Sequence, residues 1–327
     1  MSLQAHWYRL TPVSLTLLPA GLLYRGLSAL RRPVWRGINR LRRRPGVPVI
    51  VVGNISVGGT GKTPMVLWLI EHLRARGHTP GVVSRGYGGK ANHPLTVTAD
   101  TPPERAGDEP VLIAARSGAP VVVDPRRRRA LKHLLAEHPE VDVVISDDGL
   151  QHHALPRDLE IVMVDGRRGF GNRLPIPAGP MREPVSRLGQ ADFVVVNGPS
   201  REGIEGYRMG LQAGELRDLH DPEQTLPLDG MRHQKVHAVA GIGHPDRFFD
   251  TLRAHGIAVI EHPFPDHHAF TPEDLAFGDE LPIIMTEKDA VKCRSFAPSH
   301  TWCLPVQAVL DRAFVQRLDQ RLDQLHA

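Results

Sequence analysis

Acidic residues are missing from the start of this 327-residue chain, where no Asp or Glu precedes Glu71. Into the same stretch crowd Arg31, Arg32, Arg36, Arg40, Arg42, Arg43 and Arg44. A basic cluster without counter-charge fits an anionic membrane surface or nucleic acid, and charge alone does not choose between them. Cysteine is nearly absent. Cys293 and Cys303 stand alone and lack metal-type spacing, which excludes a disulfide framework and fits reduced thiols facing the cytosol. Aromatics make up only 5% of the chain, and no aromatic-plus-basic recognition motif occurs, so no nucleic-acid partner is expected. Long apolar runs are missing too. Leu10 to Tyr24 gives fifteen uncharged residues interrupted by Pro12 and Pro19, short of the ~18–20 that a spanning helix needs. No internal repeat or low-complexity tract is present.

Glycine, by contrast, is concentrated where it does chemistry. The β-branched run Val49 to Val52 reads as a buried parallel strand. It breaks into Gly53-Asn-Ile-Ser-Val-Gly-Gly-Thr-Gly-Lys-Thr63, and Pro64 to Leu73 reads as a helix. Strand, glycine-rich turn and helix together make a phosphate site, because consecutive backbone N–H groups and the helix N-terminus converge on phosphate oxygens. Ser56, Val57, Gly58, Gly59, Thr60, Gly61, Lys62 and Thr63 form the nucleotide-binding loop. Lys62 reaches the β/γ-phosphates of ATP, and Thr63 ligates Mg²⁺. Ser56 departs from the strict pattern, which has glycine there.

Such a site needs cytosolic nucleotide, which conflicts with reading the N-terminus as a signal peptide. The segment is instead expected to lie in a membrane interface, with Trp7, Tyr8 and Tyr24 near the headgroups and the arginines on anionic lipid. A plain core helix with a solvated basic face is the alternative.

Short apolar runs alternate with helical segments after the loop: 81–84, 119–124, 141–146, 159–165 and 191–197. They predict an α/β fold with a mainly parallel sheet of the P-loop type, helices on both faces, and a second, smaller α/β domain. A length prior of roughly 150 residues per domain agrees with two. The expected division is 1–45, a membrane-associated helical segment of the first domain; 46–225, the P-loop domain; 226–300, the smaller domain; and 301–327, a strand and helix returning to the first. Residues 166–184, rich in Gly, Pro and Arg, form a long irregular loop, and such loops are more often functional than idle.

The strand Val143 to Ser146 ends in Asp147-Asp148, and carboxylates at the carboxyl end of a strand beside the P-loop strand bind Mg²⁺; a solvated Asp-Asp-Gly turn is the bland reading. Asp108 and Glu109 in Gly-Asp-Glu-Pro, and His267 in Phe-Pro-Asp-His-His, are candidates to take a proton. A His/Asp metal site at Asp266–His268 is a weaker alternative. Arg182 and Glu183 could contact phosphate or sugar, while the Arg126–Arg129 run fits a helix's solvated face.

These motifs together resemble the tetraacyldisaccharide 4′-kinase (lipid A 4′-kinase) family: Gly53 to Pro64, Val83-Ser-Arg-Gly-Tyr-Gly-Gly-Lys90, Gly107-Asp-Glu-Pro110, Asp147-Asp-Gly-Leu-Gln-His152, Pro177-Ala-Gly-Pro-Met-Arg-Glu183, Ala240-Gly-Ile-Gly-His-Pro245, Asp266-His267 and Thr286-Glu-Lys-Asp-Ala-Val-Lys-Cys293. The resemblance accommodates Ser56, since the family carries Ser or Thr there. It implies an inner-membrane-associated kinase, and the chain is expected to be a monomer, peripheral on the cytoplasmic face of the bacterial inner membrane. The reaction implied is transfer of the γ-phosphate of ATP to the 4′-hydroxyl of a lipid A disaccharide precursor. It also implies that Lys62 and Thr63 bind phosphate and Mg²⁺, and that Asp147 and Asp148 serve the metal. Asp108 and His267 become base and partner, brought together across two domains. Glu109, Arg127, Gln151, Arg182 and Glu183 fall on the substrate side. The rival is an ATP-driven membrane switch, which usually carries lysine where this chain has Val57.

Overall fold

A computed structural model describes residues 6–40, 45–90, 92, 94–200 and 203–326. Of the basic cluster, residues 42–44 lie outside the described set. The chain opens with α1 (Pro12–Arg40), then β1 (Val49–Asn54), α2 (Lys62–Ala75), β2 (Pro80–Ser84), β3 (Leu95–Val97) and a short α3 (Pro103–Ala106). There follow α4 (Asp108–Ser117), β4 (Val121–Val123), α5 (Arg127–Glu137), β5 (Val143–Ser146), β6 (Leu159–Asp165), β7 (Phe193–Asn197) and β8 (Tyr207–Ala213). Next come β9 (Leu216–Asp218), β10 (Thr225–Leu226), β11 (Lys235–Ala240), α6 (Pro245–Ala254) and β12 (Ala258–Pro263). The chain ends with β13 (Ile283–Thr286), α7 (Glu287–Cys293), β14 (Thr301–Leu304), β15 (Val306–Leu310) and α8 (Arg312–His326).

The first sheet has nine strands in the order β15-β8-β7-β6-β1-β5-β2-β4-β3. Its seven inner strands are parallel, and only the edges β15 and β3 run antiparallel. Strands buried on both faces need unbroken apolar sequence rather than alternation. Val49 to Val52 and Val143 to Ile145 supply it, all fully buried. β1 sits at the centre. The chain leaves it toward β2 and β4, returns through β5, and crosses to β6 on the other side. That reversal opens a crevice at the carboxyl ends of the central strands, where ligands bind in doubly wound sheets.

The second sheet has the order β10-β9-β14-β13-β11-β12. It draws on both sides of residues 226–300, taking β9 and β10 from before and β14 from after. The one strand expected within 301–327 is two strands, because Pro305, which has no N–H for a ladder, separates β14 in the second sheet from β15 in the first. At this double crossing Gly214 N–H donates to Pro305 O at 2.9 Å. Farther out, α4 packs on α7, and the Arg116 guanidinium bonds the Glu287 carboxylate.

α1 is 29 residues long. It is longer than the uncharged stretch suggested because the helix runs on past Arg25 through Gly-Leu-Ser-Ala-Leu30. It is the one helix among the described residues long and apolar enough to cross a membrane, by length and composition only. One side rests on the irregular 166–190 segment, where Gly21 touches Pro175 and Arg32 bonds Gln190, and near the helix's end Asn39 Nδ2 donates to His153 O at 2.8 Å. Leu10, Leu15, Leu22, Leu23, Leu27, Leu30 and Val34 are exposed.

Candidate active site

The phosphate loop leaves β1 at Asn54, whose Nδ2 reaches Gly58 O and Thr60 Oγ1, both at 3.3 Å. Across the crevice Asn197, at the end of β7, donates to Thr60 O at 3.3 Å. Gly61 caps α2 in a left-handed conformation with φ 88°. A Cβ there would lie 2.4 Å from Asn197 Nδ2, so both the backbone angle and the neighbour demand glycine. Val57 N–H is tied to Pro180 O at 2.8 Å, anchoring the loop to the 166–184 segment. Lys62 and Thr63 then open α2.

Asp147 and Asp148 leave β5 directly beside this loop. Lys62 Nζ lies 3.6 Å from Asp148 Oδ1, and Arg182 Nη1 lies 3.2 Å from both Asp148 oxygens. Burial would raise the Asp148 carboxyl, but Lys62 and Arg182 outweigh it and hold it below the usual range. Asp147 is different. Burial, then the charges of Glu109 and Asp148, push it up to about 7. Ser84 Oγ donates to Asp147 Oδ2 at 3.0 Å, while Oδ1 is buried with no partner. An orphaned carboxylate oxygen costs free energy unless something occupies it. A carboxylate oxygen left bare in this way has the chemistry of a divalent-cation ligand, and Asp148 beside it carries two more oxygens. Among the described residues no group of three or more His, Cys, Asp or Glu side chains forms a metal centre by itself, so phosphate oxygens would have to complete the shell.

The folded state keeps the Asp147 proton to higher pH than the unfolded chain, whose value is 3.8. The metal-free protein therefore loses stability as pH rises from 3.8 to about 7.

Asp108 opens α4 and is buried, with 6% of its surface exposed. His267 Nδ1, from the loop after β12, lies 3.2 and 3.1 Å from its two oxygens. Burial favours the neutral acid, but the His267 hydrogen bond and the Lys288 charge outweigh it and hold Asp108 below the ordinary carboxylate value. The same hydrogen bond raises His267. Tyr87 meets the His267 ring edge-on at 5.4 Å between centroids. Asp266–His268 does not act as a unit: His268 turns away to Asp274 at 3.0 Å and stacks on Phe264.

Arg127 is buried, donates to Asp124 O at 3.0 Å and to Asp147 O at 3.4 Å, and leaves Nε without a partner. Burial lowers it to about 10. Gln151 Nε2 joins Asn54 O at 2.9 Å to Glu183 Oε1 at 2.8 Å, and Gln151 Oε1 accepts from Arg182 at 3.3 Å. Gln151 and Glu183 thus brace Arg182 toward Asp148. Glu109 lies 3.4 Å from Lys288 Nζ.

Lys288 escaped the sequence reading, although it lies inside the Thr286-Glu-Lys-Asp motif. Its Nζ also lies 3.1 Å from Asp266, 3.8 Å from Asp108 and 3.4 Å from His267 Nε2; burial would lower its pKa, but the charges of Glu109, Asp108 and Asp266 outweigh burial and raise it. Next to it, Asp289 is fully buried and holds Gly241 N–H at 2.8 Å, fixing the loop after β11. A lysine and an aspartate side by side carry no spacing signal; only the fold shows that one meets the Asp108–His267 pair and the other the loop after β11.

A phosphate loop, two adjacent acids at the end of β5 and an Asp–His pair whose histidine comes from the second sheet's side stand on one chain, and comparisons with known proteins cover nearly all of it. The family model described as tetraacyldisaccharide-1-P 4′-kinase matches residues 13–323. A protein of Methylobacillus flagellatus named tetraacyldisaccharide 4′-kinase is 50% identical over 324 residues, covering 99% of this chain and 96% of that protein. One of that name from Pseudomonas aeruginosa is 49% identical, covering 99% and 98%. The crystal structure of an "apo" form from Aquifex aeolicus in complex with ATP superposes with a TM-score of 0.78 at 28% identity, covering 96% of this chain and 99% of that one. With the match running from α1 into α8, the chain belongs to the tetraacyldisaccharide-1-P 4′-kinase family.

Proposed function

We propose that this chain is a kinase that moves the γ-phosphate of ATP to the 4′-hydroxyl of a tetraacyldisaccharide 1-phosphate lipid A precursor. The observation that carries the reading is Asp108, held ionised by His267 and Lys288 from the second sheet's side and next in sequence to Glu109, whose charge acts on Asp147. Phosphoryl transfer passes through a loose transition state, so the acceptor hydroxyl needs little activation. Asp108 orients that hydroxyl and takes its proton as the new P–O bond forms and the β–γ bridging bond breaks. The depressed pKa keeps the carboxylate ionised to orient the hydroxyl at the cost of basicity, which a loose transition state demands little of. The backbone N–H groups of 58–61 and Lys62 gather the phosphates, and Arg182 joins them beside Asp148. Mg²⁺, held by Thr63, Asp147 and Asp148, would neutralise phosphate charge when bound. Glu109, Arg127, Gln151, Arg182 and Glu183 border the acceptor side directly or by bracing one another.

The exposed apolar face of α1 fits an anionic bilayer surface, which brings the crevice to a lipid acceptor. We place the protein peripherally on the cytoplasmic face of the inner membrane, where ATP is available. One chain supplies Lys62, Asp108, Asp147 and His267, so a monomer suffices.

Purified protein, γ-labelled ATP, Mg²⁺ and a detergent-dispersed monophosphoryl disaccharide precursor test the reading. Label on the lipid 4′ position is the expected result; ATP hydrolysis without lipid labelling would favour a membrane switch. The metal assignment makes a separate prediction. Asp147 must shed its proton to ligate, so Mg²⁺ affinity should fall as pH drops through about 7. Between pH 8 and pH 6 the fall should be about tenfold. Calorimetric titration at the two pH values measures it, and an unchanged affinity would remove Asp147 from the shell.

A further inference from the structure

We propose that Arg168 is a positioning residue that links seating of the N-terminal helix on a lipid surface to closure of the 241–245 loop over the phosphate loop. The inference rests on the nucleotide and membrane roles proposed above. Arg168 belongs to the irregular 166–184 segment. Its backbone N–H donates to Asp165 Oδ1 at 3.0 Å, alongside that of Arg167 at 2.9 Å. From this fixed base the guanidinium reaches two ways. Nη2 donates to Gly243 O at 2.5 Å, and Nη1 donates to Tyr8 Oη at 3.2 Å, with the guanidinium carbon 5.9 Å from the Tyr8 ring centre. Between these ends it passes over the phosphate loop, where a Cβ on Gly58 would lie 2.6 Å from Nη1. One side chain therefore touches the N-terminal segment, the phosphate loop and the second sheet's loop at once.

Each end of this bridge is attached to something that matters. Tyr8 follows residues pinned to the 166–184 segment: Trp7 Nε1 donates to Pro177 O at 3.0 Å, Asn172 N–H donates to Trp7 O at 2.8 Å, and Asn172 Nδ2 to His6 O at 3.3 Å. Four residues later α1 begins, with its apolar face open. At the other end Gly243 lies wedged between the two halves of the site. A Cβ on it would be 3.4 Å from Gly59 N and 3.6 Å from Asp266 Oδ2, next to His267 and hence to Asp108. The Gly243 carbonyl thus sets how closely the second sheet approaches the phosphates.

Bridging freezes a long, rotamer-rich side chain. A lipid surface that immobilises α1 also immobilises Tyr8, and so meets part of that cost before nucleotide arrives. Lipid and nucleotide then favour the same bridged state, and by linkage each strengthens the other. Lysine could not replace arginine here, because two separate acceptors need the two arms of the planar fork.

The test titrates the full-length protein with a fluorescent non-hydrolysable ATP analogue and Mg²⁺, with and without mixed phosphatidylethanolamine–phosphatidylglycerol vesicles. Wild-type protein should float with the vesicles and bind the analogue about five- to tenfold more tightly in their presence. Arg168→Gln and Tyr8→Phe should still float, with the vesicle effect on affinity falling to about one, and Tyr8→Phe, which leaves the phosphate loop untouched, should also keep its vesicle-free affinity. Tyr8→Phe keeps the ring and removes only the hydroxyl, which guards against a folding defect in the arginine variant. An equal loss of affinity with and without vesicles in Arg168→Gln would make Arg168 a plain phosphate contact and overturn the link. So would a wild-type protein that floats and binds nucleotide with no vesicle effect. A wild-type protein that does not float, or binds no nucleotide, would instead overturn the membrane or nucleotide role on which the link stands.

Discussion

Replacing Asp108 by asparagine is expected to lower kcat by about 10²- to 10⁴-fold, the usual worth of a positioned proton acceptor, while leaving the affinity for ATP nearly unchanged. The asymmetry follows from geometry. Asp108 faces the acceptor side and is bonded to His267, whereas the phosphate loop is held by Asn54, Asn197 and Pro180. Asparagine preserves the shape of the side chain but cannot accept the acceptor's proton. A titration accompanies the rate. His267 stands above the ordinary histidine value chiefly because of its bond to Asp108, so in the variant it should fall, as read from its ring protons by NMR. Stability changes have defined signs too. The raised His267 contributes stability below its unfolded value that is lost as pH rises through its folded one. The depressed Asp108 contributes stability above its unfolded value that is lost as pH falls through its folded one. Asp108→Asn removes both, flattening the thermal midpoint against pH on either side. Equal losses in kcat and in ATP affinity would contradict the base role.

How far the sequence carries such an argument depends on how local the contact is. The phosphate loop is legible because a β-branched run, glycines and a helix follow one another within a few turns of chain. Asp147 and Asp148 are legible as acids closing an apolar strand, though not their opposite charge behaviour, which comes from one being buried and the other sitting between Lys62 and Arg182. The Asp108–His267 pair spans 159 residues and two sheets, and no periodicity encodes that meeting; family resemblance pointed to it. Lys288 and Arg168 went unseen for the same reason. Both are single basic residues whose partners come from other elements. Short strands fared worst: β9 and β10 have three and two residues, too few for alternation to show.

Lys62→Ala should be the other severe variant, with kcat lowered by about 10²- to 10³-fold, as when one preorganised donor to developing phosphate charge is removed. Its effect should also reach the acids. Asp147, Asp148 and Glu109 crowd the crevice, and Lys62 offsets them by lowering both aspartates. Without it Arg182 still holds Asp148, but Asp147, already near 7 in the wild type, should move higher. Much of the variant would then carry a protonated Asp147 at neutral pH and would bind Mg²⁺ only by releasing that proton. The acid limb of the rate profile should therefore shift to higher pH, and raising pH should recover part of the lost rate, which removal of a mere phosphate contact would not produce. Lys62→Arg is not expected to rescue, because a broad planar fork does not fit a position that is 10% exposed and already faces Asp148 at 3.6 Å. A Lys62→Ala profile with its acid limb where the wild type has it would mean that the lysine acts on the phosphates alone and leaves the metal acids untouched.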